Sequence, residues 1–361
     1  MPNLKSPIFV VGNAHSGTTL MQGIIGRHPS VFCGRGETRF FYHLVGIQRR
    51  YPDLTNAATR QKFIEFGLRT ISAGYGTVKD AEEAGQSIDL IKYGITMTDL
   101  EELQKRLAGV GNHDRAYVMI YDFLSEKMGA CRWLEKTPTH LLFAARILTV
   151  APEARFVEVV RDPRAILASK HKRRTGQALE ANGSKRFHGG FDPVLDSLGW
   201  RSMVKAGDHV AAKWPDRILR IRYEDLTADP EGTTRGVCRF LNLDFDPSLL
   251  DVAWTNSTTT GHQTRGIGTA AVERWKTDLE PSAALVCQFM LRREMARLDY
   301  RPLTYSLATR FGALKWAGRS VAEFPRLLYR RWRIGGIVQL RNLFAVYANR
   351  LRHLVNTDSP V

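Results

Sequence analysis

Long apolar runs are missing from this chain. Nowhere in its 361 residues do the roughly 18 consecutive apolar positions of a membrane-spanning helix occur. The apolar run in the opening "MPNLKSPIFVV" is too short for a secretory signal. Cysteine is also scarce: Cys33, Cys131, Cys238 and Cys287 are scattered, with no C-x-x-C and no zinc-like spacing. There is no internal repeat and no low-complexity block. These absences speak against a spanning helix, a disulfide scaffold and a zinc module, and they set the expectation of a cytoplasmic chain with reduced thiols.

What is present is a globular composition, 43% hydrophobic and 24% charged, with a formal net charge of +16. Residues 301–361 carry 11 Lys and Arg against 2 Asp and Glu, which leaves +7 for the first 300 residues. A basic surface favours anionic partners such as nucleotides, anionic glycans, nucleic acid or lipid headgroups, without choosing among them.

Short apolar runs at Ile8–Val11, Arg155–Val160 and Arg217–Tyr223 read as strands, with "CRWLEKTP" as a fourth running into a proline turn. Helical patterns lie between them, at Leu20–Ile25, Ala116–Met128, Thr139–Val150 and Asp196–Lys213. Residues 45–110 read as helical and irregular, and 175–192 as a polar loop. Strands alternating with helices predict an α/β fold with a doubly wound parallel sheet and ligands at the carboxyl ends of the strands. The last ~55 residues pair aromatic and leucine positions with arginines. This predicts a domain over 1–302 and a basic amphipathic helical extension over 303–361, packed on the body or on a second subunit. Peripheral contact with an anionic membrane surface is the alternative for that extension.

The first strand is followed by Gly12-Asn13-Ala14-His15-Ser16-Gly17-Thr18-Thr19 and then a helical stripe of Leu20, Met21, Ile24 and Ile25. That is the G-x-x-x-x-G spacing of a P-loop, in which glycines let main-chain amides close around phosphate at a helix N-terminus. A nucleoside triphosphatase places a lysine next, to reach the β- and γ-phosphates. Here that position is Thr18, which disfavours γ-phosphoryl transfer but leaves binding of a 5′-phosphate intact. A second anion-binding candidate follows another strand, in "VVRDPRAILASKHKR". Arg161 sits at the strand exit, and Ser169 lies about two helical turns on.

"GNAHSGTTLM" resembles the 5′-phosphosulfate-binding loop of sulfotransferases that use 3′-phosphoadenosine 5′-phosphosulfate (PAPS). "VVRDPRAILASKHKR" resembles the 3′-phosphate-binding segment of the same family. The resemblance implies a P-loop-like fold and sulfuryl transfer to a hydroxyl, with no metal expected. It assigns the 3′-phosphate to Arg161, Ser169 and Arg173. "HPSVFCGRGETRFF" is similar to the segment that carries a glutamate base in tyrosylprotein sulfotransferases and their bacterial relatives, which implies Glu37 as base; a structural pairing of Glu37 with Arg39 is the alternative. For Glu37 to take a proton, burial is expected to raise its pKa towards neutrality. "WLEKTPTHL" resembles the family's Lys-x-Pro segment and implies Lys136 as the cation near the sulfuryl group. "RIRYEDL" implies Tyr223 near the adenine, and "TRGIGTAAVERWK" a late loop with Arg265 and Trp275 over the nucleotide. His15 stands where the family's loop usually has Lys or Arg, so either a protonated His15 or Lys136 would carry the charge there. Cys33 and Cys131 fall near positions that are disulfide-bonded in tyrosylprotein sulfotransferases; free thiols are expected here. A glycan, glycolipid or small-molecule hydroxyl is the expected acceptor. Two other readings are a P-loop kinase or nucleotide phosphotransferase, and a non-catalytic basic protein binding nucleotides or nucleic acid.

Overall fold

In the computed structural model, the described residues are 6–76, 94–174, 191–254, 264–265 and 267–316, with isolated positions elsewhere. Five strands form the central sheet: β1 (Ile8–Gly12), β2 (Val31–Cys33), β3 (Arg132–Lys136), β4 (Arg155–Val160) and β5 (Ile218–Arg222). Their order is β2-β3-β1-β4-β5, and every pairing is parallel. From β1 the chain goes to one edge, returns through β3, and then crosses β1 to build β4 and β5. The direction of winding therefore reverses around β1, and a crevice at the carboxyl ends of its neighbours is the expected ligand site.

The uninterrupted apolar strands follow from that placement, because both faces of the sheet are covered. Phe9, Val11, Trp133 and Phe156 point into one core with α2 (Phe40–Arg50), α3 (Ala57–Ala73) and α5 (His113–Lys127); α4 (Met97–Arg106) lies on the same side. Ile8, Val10, Leu134, Val157 and Val159 point the other way, onto α1 (Thr18–Ile25) and α10 (Pro230–Leu241), while α6 (Ala144–Val150) packs in the first core. In the first core, Trp133 stacks on Tyr121 at 4.4 Å and meets Phe9 edge-on at 5.4 Å. A third cluster joins α7 (Pro163–Arg174) and α8 (Pro193–Lys213) to α12 (Pro281–Met290), with Trp200, Trp275 and Cys287 at its centre.

The four long strands lie where the sequence predicts them. β2 does not appear in that reading: it is a three-residue edge strand whose pairing to β3, not its own pattern, makes it a strand. The expected helix at Thr139–Val150 opens as a 3₁₀ turn, Pro138–Phe143, because Pro138 sets a tight start, and becomes α-helical as α6. Residues 307–316 are helical, and Trp316 donates to Ser282 Oγ at 3.0 Å, so the start of the extension packs on α12. The loop expected at 175–192 and most of the extension lie outside the described residues. All four cysteines are free thiols. Among the described residues no helix is long and apolar enough to cross a membrane.

Candidate active site

Glycine geometry shapes the loop after β1. Gly12 has φ +139°, and a Cβ there would lie 2.3 Å from the Val159 carbonyl oxygen, so β4 packs against bare backbone. Gly17, the N-cap of α1, has φ +100°. A Cβ on it would lie 2.4 Å from Tyr223 Cδ2. Ser16 closes the turn between them, donating from Oγ and from its amide to the Asn13 carbonyl at 2.7 and 3.1 Å. Ala14 and Thr19 are exposed, whereas Thr18 is buried. No side chain caps α1, so its first turn presents main-chain amides to whatever occupies the loop.

The β4–α7 segment is tied directly to that loop. Arg161 donates from Nη1 to the His15 carbonyl at 3.1 Å, and Ser169 Oγ lies 3.0 Å from His15 Nδ1. His15 itself has φ +71°, a left-handed conformation that turns its carbonyl and ring toward this partner segment. Arg161 also donates from Nη2 to Ala271 at 2.7 Å, bringing the turn Thr269–Ala271 over the site. Its guanidinium lies 4.3 Å from the ring centroid of Tyr223, in cation–π contact. Trp200 Nε1 donates to the Arg161 carbonyl at 3.1 Å, and Glu224 Oε1 accepts from the Asp162 amide at 3.0 Å. Burial pushes the Glu224 carboxyl above its ordinary value, more than those hydrogen bonds lower it.

Both aromatic candidates near this segment are buried. Tyr223 is 4% exposed, with Arg161 over its ring and Gly17 against its edge, so it supports the arginine beside the loop. Trp275 is buried beneath the Arg164 guanidinium at 4.1 Å, where Arg164 also pairs with Asp162; it is a core residue of the third cluster. Arg265 lies in β7 (Thr264–Arg265), paired antiparallel with β6 (Ala253–Trp254), and Arg173 lies in the last turn of α7. The side chains of Arg265 and Arg173 are outside the described residues.

On the other side of β1, Lys136 ends β3 beside Val10. Its Nζ donates to Glu37 Oε1 at 2.8 Å. Arg39 donates from Nε and Nη2 to Glu37 Oε2, both at 3.3 Å. The Lys136 side chain is only 7% exposed and Glu37 31%. Burial alone would raise the Glu37 carboxyl, as the sequence leads one to expect. The Lys136 ammonium, with help from Arg39, outweighs burial and holds Glu37 below the usual carboxylate value. Glu37 is therefore ionised at neutral pH as the protein stands. The Arg39 pairing and the Lys136 pairing coexist on its two oxygens.

The segment around Glu37 is pinned from two directions. A Cβ on Gly36 would lie 2.5 Å from Gly74 Cα, so two glycine backbones meet there. The Tyr75 amide donates to the Glu37 carbonyl at 2.8 Å. Beneath them lies a buried polar group that sequence reasoning missed. Glu135 Oε1 accepts from Thr38 Oγ1 at 2.9 Å and from Thr137 Oγ1 at 2.6 Å, while Oε2 lies 2.8 Å from His140 Nδ1. Burial pushes Glu135 up, but His140 and the two hydroxyls more than offset it, and the carboxyl is held below its ordinary value. The signal was present in "LEKTPTH": a Glu in the middle of a buried strand, with a His five residues on, needs partners.

A protein-tyrosine sulfotransferase A from Caenorhabditis elegans is 24% identical over 250 residues, which cover 69% of this chain and 53% of that protein. An omega-hydroxy-beta-dihydromenaquinone-9 sulfotransferase from Mycobacterium bovis is 32% identical over 115 residues, 31% of this chain and 29% of that protein. The matched part thus spans about half of the first relative's length and less than a third of the second's. Among solved structures, the sulfotransferase domain from the curacin biosynthetic pathway is 20% identical with a TM-score of 0.49, covering 83% of this chain and 100% of that one. The family model described as the sulfotransferase family matches residues 7–247, two thirds of the chain and all five strands of the sheet, and the chain belongs to that family.

Proposed function

We propose that this protein transfers a sulfuryl group from PAPS to an acceptor hydroxyl. The observation that carries the reading is the bond set His15–Arg161–Ser169, which joins two anion-binding elements at the ends of neighbouring strands β1 and β4. One bisphosphorylated nucleotide suits two such elements. The donor, when bound, supplies an activated sulfuryl group on its 5′-phosphate.

The residues present fit that donor. The uncapped first turn of α1, the glycine-shaped loop from Gly12 to Gly17 and the Ser16, Thr18 and Thr19 groups would hold the 5′-phosphosulfate. Arg161 and Ser169, with Arg173 on the same helix, would hold the 3′-phosphate. A γ-phosphoryl reading has nothing comparable to use, since the position after Gly17 is a buried threonine.

Glu37 would take the acceptor's proton, and Lys136 would stabilise charge on the leaving side. In the structure these two hold each other. When Lys136 turns to a donor oxygen, Glu37 loses the charge that depresses its pKa, and burial then makes it a stronger base. Donor binding thereby switches on the base. The relatives' names specify a tyrosine in one case and an omega-hydroxy compound in the other. A glycan, glycolipid or small-molecule hydroxyl is the acceptor class we propose here.

Calorimetric titration with adenosine 3′,5′-bisphosphate, against ATP–magnesium, tests the donor reading. Preference for the bisphosphate is expected. Binding of ATP–magnesium alone would overturn the assignment.

A further inference from the structure

Thr38 and Thr137 flank the two groups at the centre of the site: one follows Glu37 in the chain, the other follows Lys136. Both threonine hydroxyls donate to the same atom, Glu135 Oε1. Each hydroxyl is also used as an acceptor. Thr137 Oγ1 receives the Arg39 amide at 3.2 Å, and Thr38 Oγ1, having given its proton to Glu135, receives Tyr117 O–H at 2.7 Å. Glu135 lies on the face of β3 opposite Lys136, as strand alternation requires. Its second oxygen is held by His140, whose ring is packed against Phe41 at 5.1 Å between centroids. Glu135, His140, Thr38 and Thr137 are all at most 1% exposed.

We propose that Glu135 is a positioning residue: through Thr38 and Thr137 it fixes the separation of Glu37 from Lys136, and His140 locks its carboxylate in the orientation that does so. The proposal rests on the sulfotransferase reading for the roles of Glu37 and Lys136. A single buried carboxylate oxygen bridging two chain segments sets their spacing more tightly than the Glu37–Lys136 pair, whose carboxylate is 31% exposed, can by itself. A buried carboxylate with all its partners is costly to assemble and rigid once assembled. Such rigidity is worth having at a site where a displacement of about 1 Å costs on the order of a hundredfold in rate.

The charged groups facing Glu37 are Lys136 on β3 and Arg39 on its own segment; Tyr75, two residues past α3, meets it through the main chain, and Glu135 and His140 lie behind Thr38. Loosening the staple weakens the hold of Lys136 and lets burial dominate, so the Glu37 carboxyl titrates at higher pH. The informative variants are Thr38→Val and Thr137→Val, which remove a hydroxyl while leaving every charge in place. Glu135→Gln also removes a negative charge, which acts on Glu37 in the opposite direction.

The experiment is a carbon-13 NMR titration of the Glu37 side chain in the wild type, Thr38→Val, Thr137→Val and the double variant, with adenosine 3′,5′-bisphosphate affinity measured on each. The expected result is an upward shift in both single variants, larger in the double, with affinity for the bisphosphate within about twofold of the wild type and restoration of the titration in Thr38→Ser. An unchanged Glu37 titration in the double variant would overturn the proposal. Failure of the wild type to bind the bisphosphate would instead overturn the donor reading, and the titration would still decide whether Glu135 sets the pair.

Discussion

The two sides of β1 hold their site residues by different means. On the β4 side, the Gly12–Thr19 loop, Arg161 and Ser169 are joined mostly through main-chain carbonyls and glycine contacts: Arg161 to His15 and Ala271, Gly12 to Val159, Gly17 to Tyr223. On the β3 side, Glu37 and Lys136 rest on side chains bonded to side chains, from Tyr117 through Thr38 and Glu135 to His140. A backbone cradle suits a group recognised by its charge and shape, since amides face any phosphate alike. A proton acceptor and a cation must be placed to a fraction of an ångström, and interlocked buried side chains do that. The β4 side should therefore fail in binding, and the β3 side in turnover.

The sharpest break is Glu37→Gln. On the proposed role of Glu37 as base, its loss is expected to lower sulfuryl transfer by about 10²–10⁴-fold. Affinity for adenosine 3′,5′-bisphosphate should not weaken, because the substitution also releases Lys136. A variant that lost nucleotide affinity and turnover together would show that the two sides are not separable.

Arg161→Ala tests the opposite side. Charge-assisted hydrogen bonds are worth about 1.5–3 kcal/mol each, so affinity for the bisphosphate should fall by roughly tenfold to a hundredfold in calorimetry. The fold should survive, since Tyr223 and the loop stay packed through Gly17.

How far the two sides could be read from sequence follows the same division. The β4 side is written in contiguous stretches: glycines at fixed spacing after an apolar strand, then an arginine at a strand exit. Local rules suffice there. The β3 side is assembled from residues about a hundred positions apart, and only resemblance pointed to Glu37 and Lys136. Nothing local says that Lys136 reaches Glu37, so the direction of the Glu37 shift was misjudged: burial was anticipated and its partner was not. Trp275 is buried beneath Arg164, which sequence could not show, because an aromatic beside a ligand segment reads alike whether it faces the ligand or supports an arginine. The sheet was legible because each long strand is buried on both faces, whereas β2 owes its existence to a neighbour.

Gly17→Ala sharpens the contrast on the backbone side. With φ at +100° and Tyr223 Cδ2 2.4 Å from the new methyl, either the loop or the tyrosine must move. A cost of about 1–3 kcal/mol is expected, seen as a lower melting temperature together with weaker bisphosphate binding. No isosteric side-chain change on the β3 side should affect nucleotide affinity in this way.

The smallest effect asks whether the two sides communicate. In the free protein Lys136 holds Glu37 below the ordinary carboxylate value, so the acid limb of kcat/KM for the donor, which reports free enzyme, lies low. On the proposed mechanism, donor binding draws Lys136 towards the leaving group, weakens the depressing charge and lets burial raise Glu37. The acid limb of kcat, which reports the complex, should then lie at higher pH than that of kcat/KM. The sign is fixed by the chemistry: a base must be deprotonated to act, so a raised pKa moves the loss of activity to higher pH as the medium is acidified. Lys136→Met should bring the two limbs together, since the charge that separates them is gone from both states. Coincident limbs in the wild type would mean that Lys136 stays on Glu37 throughout, and that the nucleotide side and the proton-transfer side work without exchanging a partner.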